Sequence, residues 1–150
     1  MAYVGGTPSF GETRVDSISE AVTLNRKDSG KIFMVTDSGG SGYTITLPTP
    51  ANAGIGWSAK FIVNAAVGST LNGSGGEDVV LNDGQTDVMV VNYVDSADAS
   101  TASVVHDRQA DTVGFDNTCV KGDFIDLFSD GTTWFAFGIS GADGGILVAT

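Results

Sequence analysis

The stretch Gly122–Gly138, GDFIDLFSDGTTWFAFG, constrains the fold more than any other part of the chain. Phe124, Asp126 and Phe128 alternate with Ile125 and Leu127 before a turn. Thr133, Phe135 and Phe137 alternate with Trp134 and Ala136 after it. A period of two belongs to extended strands, whose successive side chains go to opposite faces. Between the runs, Ser129-Asp130-Gly131-Thr132 places a glycine where a tight hairpin needs positive φ. Phe135 and Phe137 on one face and Trp134 on the other mean that both faces want a cover. The second cover is either another sheet layer or another subunit.

The rest of the chain has the same character. Val22-Thr23-Leu24, Lys31–Thr36, Tyr43–Leu47, Trp57–Asn64, Val79–Leu81 and Asp87–Tyr93 read as strands, with Val104-Val105 and Val113–Phe115 as weaker candidates. Tyr43, Ile45 and Leu47 share a face, as do Phe61 and Val63. Pro48 and Pro50 end their strand, because proline cannot donate to a ladder. Asp87–Tyr93 is apolar on both faces except at Asn92, which suits a central strand. Asp37–Gly42 and Asn82-Asp83-Gly84 read as turns, Ala51–Gly56 as a small-residue connection, Asp95–Ser103 as a polar loop and Gly138–Thr150 as a glycine-containing tail. No repeat at solenoid or propeller period emerges. About eight short strands with little helix point to an all-β sandwich, jelly roll or barrel. The expected organisation is an arm over residues 1–20 and one β domain over residues 21–150. Val15, Ile18 and Val22 have weak helical spacing, so the end of the arm is either a short helix or extended chain.

Charge and composition narrow the function. The net charge of −11 argues against a nucleic-acid partner, which needs clustered Lys and Arg. Residues 1–31 carry four basic and four acidic side chains, so the remainder holds the whole −11. No apolar run reaches membrane-spanning length, and the first residues lack the basic start and apolar core of a signal peptide. Cys119 is the single cysteine, which rules out an internal disulfide and fits assembly in a reducing cytoplasm. It reads as a small buried side chain. With His106 as the only histidine, neither a structural zinc site nor a Ser-His-Asp triad is expected, and no G-x-S-x-G elbow occurs. Glu77, Asp78, Asp83 and Asp87 do not follow calcium-loop spacing and read as turn acids. Gly39–Gly42 lacks the lysine of a phosphate loop. The expectation is a protein without cofactor, metal or catalysis. Trp57, Trp134, Tyr43, Tyr93 and several Phe then serve either as core or interface anchors or as a sugar-stacking platform.

Several phrases resemble a β-domain of tailed-bacteriophage virion proteins. They are Thr23-Leu24 with Asp28–Phe33, Tyr43–Pro48 with Pro50-Ala51, Gly54–Val63, Gly122-Asp123 and Ser129–Phe135. In order, they cover roughly residues 23 to 138. Such domains occur as capsid cement (decoration) proteins and as modules of tail fibres and spikes. The chain length favours the former, since a fibre adds a long triple-stranded shaft. The resemblance implies a jelly-roll-like sandwich, assembled in the host cytoplasm, that binds the outside of a major capsid protein shell as a homotrimer. Tyr3, Val4, Phe10 and Ile18 are then the expected apolar capsid contacts and Arg14 the charged one. The alternative is a receptor- or glycan-binding module, whose sign is Trp57 or Trp134 facing solvent. Gly68–Gly84 and Asp95–Ser103 depart from the resemblance and leave room for partner choice.

Overall fold

A computed structural model describes residues 14–36, 41–65, 71, 78–98 and 101–150. The strands are β1 (Val15–Ile18), β2 (Val22–Thr23), β3 (Lys31–Val35), β4 (Tyr43–Thr46), β5 (Ser58–Val63) and β6 (Val79–Asn82) in the first half. β7 (Met89–Asp98), β8 (Thr101–Ala110), β9 (Thr112–Phe115), β10 (Phe124–Ser129), β11 (Trp134–Ser140) and β12 (Ile146–Ala149) follow. They form two sheets, a seven-stranded one in the order β1-β3-β5-β10-β11-β7-β8 and a five-stranded one in the order β12-β9-β6-β4-β2. The all-β sandwich expected from the sequence is present. A jelly roll, however, is made of antiparallel strands, and here β1-β3, β3-β5, β2-β4, β4-β6 and β7-β11 are parallel.

The parallel pairs have a simple origin. From β1 to β6 the chain alternates between the sheets, and each strand lies beside the one two before it. The first half therefore winds as a flattened coil. The second half adds the antiparallel ribbon β7-β8, then β9, the hairpin β10-β11 and finally β12.

Alternation along the strands builds the core. The larger sheet turns Phe33, Val35, Phe61, Val63, Ile125, Leu127, Trp134 and Met89 inward, and the smaller turns Ile45, Val79, Leu81, Val113, Phe115 and Ile146 to meet them. Phe33 and Phe61, register partners on β3 and β5, stack with centroids 5.2 Å apart. Trp57 and Trp134 meet edge to face, also at 5.2 Å. Each indole finds an acceptor, Trp57 at the Asn25 carbonyl (3.1 Å) and Trp134 at Asp83 Oδ2 (3.2 Å). The hairpin tip is as expected, with Gly131 at φ +94°. Asp130 Oδ1 accepts from the Thr132 and Thr133 amides at 2.8 Å. These bonds, the one from the Thr132 amide first, hold the Asp130 carboxyl below the usual carboxylate range.

Four local expectations need correction. Residues 15–18 do not belong to an arm or a helix. They form β1, parallel to β3, and Ile18 is buried in the core; β3 supplies a partner that helical spacing cannot compete with. Asp95–Ser103 is largely strand, because β7 runs on to Asp98 and β8 starts at Thr101, each ribbon half satisfying the other's backbone. The tail contains the end of β11 and all of β12, which pairs with β9. Within Ala51–Gly56 lies part of a one-turn helix, α1 (Pro50–Ala53), with Thr49 Oγ1 accepting from the Asn52 amide and Pro50 opening the turn.

Candidate functional site

The alternation that fills the core also dictates what the larger sheet shows on its other side. Register carries the outward side chains into rows. One row runs Met34, Ile62, Phe124, Ile139, Val94, Val104 across six strands, every member apolar. The next runs Ile32, Lys60, Asp126, Phe137, Asn92, His106, and a third runs Ser58, Phe128, Phe135, Val90. Six large apolar side chains are exposed among the described residues. Five of them, Val15, Val104, Phe128, Phe137 and Ile139, lie on this face, and only Ile55 lies elsewhere. Phe137 and Ile139 are 47% and 48% exposed, and Val104 75%. Phe128 and Phe135 stack with centroids 4.9 Å apart.

The polar groups of this face are paired with one another. Lys60 Nζ sits 3.1 Å from Asp126 Oδ2 and 4.2 Å from the centroid of the Phe124 ring. At the β8 edge Arg108 Nε donates to His106 Nε2 (2.7 Å), and His106 Nδ1 donates to Asn92 Oδ1. A shallow hollow of about 300 Å³ lies beside Ile32, Ser58, Lys60, Asp126, Phe128 and Phe137. Its carboxylate is Asp126, already neutralised by Lys60. What the surface offers is apolar area with a paired charge at its middle, which is the chemistry of contact.

The other candidate residues serve the fold. Asp123 is buried and accepts from the Val120 amide (3.0 Å), Ser140 Oγ (2.9 Å) and the Gly141 amide (3.0 Å). Asp83 accepts from the Gln85 amide and Trp134, while the Asp87 amide donates to Asp111. Glu77 lies outside the described residues, and among those described no group of three or more His, Cys, Asp or Glu could hold a metal ion. No helix among the described residues is long and apolar enough to cross a membrane. Trp57 and Trp134 are 2% and 0% exposed, which removes the tryptophan platform expected of a glycan-binding module.

Cys119 is fully buried, as expected, and its Sγ donates to the Gly145 carbonyl. Burial pushes the thiol well above its ordinary range, with the Asp123 charge adding to the effect. A thiol reagent such as 5,5′-dithiobis(2-nitrobenzoate) is therefore expected to leave the native protein unlabelled at pH 8. It should label one thiol per chain once denaturant is added. Rapid native labelling would contradict the burial.

Of the expected capsid contacts, Ile18 is unavailable because it faces the core, and its neighbour across the sheet, Val35, is buried with it. Arg14 is exposed just before β1, and its carbonyl accepts from the Ile32 amide. Tyr3, Val4 and Phe10 lie outside the described residues. The outward face itself was foreshadowed by Phe135 and Phe137, which asked for a cover opposite Trp134. Its extension to Met34, Ile62, Val94 and Val104 was not, because it depends on the cross-strand register. Compared with known proteins, the chain matches no family model, no curated protein and no solved structure.

Proposed function

We propose that this chain is a non-catalytic assembly module, a capsid cement protein that binds the outside of a major capsid protein shell and stabilises it as a homotrimer. The observation that carries the proposal is the outward face of the larger sheet. A seven-stranded sheet bearing Phe128, Phe137, Ile139 and Val104 toward solvent is built for contact with another macromolecule. The resemblance to tailed-bacteriophage virion domains supplies the kind of assembly. An acidic chain stays soluble at the high local concentration a shell-coating protein reaches. Symmetric association multiplies individually weak contacts.

Co-sedimentation with expanded, empty capsid shells tests the reading. The chain is expected to pellet with shells in saturable, fixed proportion and to raise the temperature at which they disrupt. Chain that stays in the supernatant at every concentration overturns the proposal. Tyr3, Val4, Phe10 and Arg14 remain the proposed shell contacts, and a chain starting at Val15 is expected to pellet less. Undiminished pelleting would move the contact elsewhere.

A further inference from the structure

We infer that the outward face of the seven-stranded sheet is the surface on which a second copy of this chain docks. The inference deepens the assembly reading by assigning the copy-to-copy contact to particular residues, and its test needs no shell.

Size is the first argument. Seven strands at a spacing of about 4.8 Å span roughly 29 Å. Three rows of outward residues, about 7 Å apart along the strands, span roughly 14 Å in the other direction. The face thus offers on the order of 400 Å² before its projecting rings are counted, about half of the roughly 800 Å² per partner of a standard stable interface. Its middle strands, β10 and β11, carry the stacked Phe128–Phe135 pair, Phe124 and Phe137, residues of the kind that anchor such contacts.

Charge identifies the occupant. The described charged side chains on this face are Lys60, Asp126 and Arg108, which sum to +1, whereas the whole chain carries −11. Two copies repel through the rest of their surfaces. They can approach without setting acid against acid where the surface is close to neutral, and this face is. A basic partner would instead be drawn to the acidic surfaces and gain nothing from this one. The polar groups also enter the contact already satisfied, Lys60 by Asp126, Arg108 by His106 and His106 by Asn92. Covering the Lys60–Asp126 pair therefore leaves no newly orphaned charge, and Arg108, whose charge no anion offsets, lies on the edge strand β8. An apolar sheet face fits another sheet, which stacks at about 10 Å.

The test is mass by multi-angle light scattering on the purified chain, from about 1 to 100 µM, the range in which moderate affinities are read. The intact chain is expected at a multiple of 15.3 kDa. Phe137→Lys with Ile139→Lys is expected to reduce it to the single-chain mass with an unchanged circular dichroism spectrum. Val104→Lys, at a side chain exposed enough that folding is not in question, is expected to weaken association by about tenfold or more. Ile55→Lys, exposed but off the face, is expected to change nothing. A wild-type chain at single-chain mass throughout, or an oligomer indifferent to Val104→Lys and to the double variant, overturns the inference. An oligomer that never pellets with shells sinks the shell reading and leaves this one standing. A single chain that pellets does the reverse.

Discussion

Replacing Trp134 by alanine is expected to cost about 3–5 kcal/mol of unfolding free energy, the range for deleting a fully buried large aromatic. The indole has no solvent exposure and lies edge to face with Trp57 between the two sheets. Three losses coincide. A cavity opens where the ring was, Trp57 loses its aromatic neighbour, and Asp83, itself buried, loses the donor at its Oδ2. Against a total stability of about 5–15 kcal/mol the variant stands near the limit of folding. Trp134→Phe separates the terms, since it keeps most of the ring but removes the N–H. Its expected cost is about 1–3 kcal/mol, the price of a buried acceptor left short of a donor. Urea denaturation followed by circular dichroism reads both, and a loss below about 1 kcal/mol for Trp134→Ala would show that the sheets close over the gap.

Gly114→Ala is the second large effect, and it arises from the backbone. Gly114 lies on β9 between Val80 of β6 and Leu147 of β12. A Cβ there would stand 2.3 Å from the Val79 carbonyl oxygen and 3.1 Å from the Val80 Cα. Neither atom can rotate away, so β6 and β9 must separate or shift. The expected destabilisation is about 3 kcal/mol, at the upper end of the overpacking range. Gly84→Ala is the instructive comparison. Nothing lies within 4 Å of the added methyl, but φ is +77°, so its cost is conformational alone, about 1–2 kcal/mol. Thermal unfolding of the two variants should rank them in that order. Equal losses would mean that the β6-β9 pairing yields freely.

The elements best anticipated from the sequence were those whose side chains alternate between apolar and polar within one strand. Tyr43, Ile45 and Leu47 are all buried with Thr44 and Thr46 exposed, and Phe61 and Val63 share the core face. The hairpin Gly122–Gly138 turns as its composition requires. The coil was hidden for a geometric reason. Strands stacked in parallel are offset by 17 residues between Val15 and Ile32, 23 between Val22 and Ile45, 28 between Ile32 and Lys60, and 36 between Tyr43 and Val79. A solenoid is recognised by a constant period, and these connections have none. β1 and the far half of β7 were missed because their residues are polar or small. Asp16, Ser17, Asp95 and Ser96 have weak strand preference and are held extended by their partners. The outward apolar face was legible one strand at a time, as the parity of Phe135 and Phe137. Its extent depended on which strands lie side by side, and β5-β10 and β7-β11 are pairings between distant parts of the chain.

The insertion of β10-β11 between β5 and β7 has a consequence for biosynthesis. Within the larger sheet, the early strands β1, β3 and β5 touch the ribbon β7-β8 only through this hairpin. A nascent chain emerging from the ribosome can wind its first coil and close its ribbon, but until residue 140 is outside the tunnel both pieces display an unpaired strand edge. Premature termination before Gly122 would release a polypeptide with two such templates for wrong pairing. The ribosome thus delivers late the piece that makes the rest safe in the crowded cell.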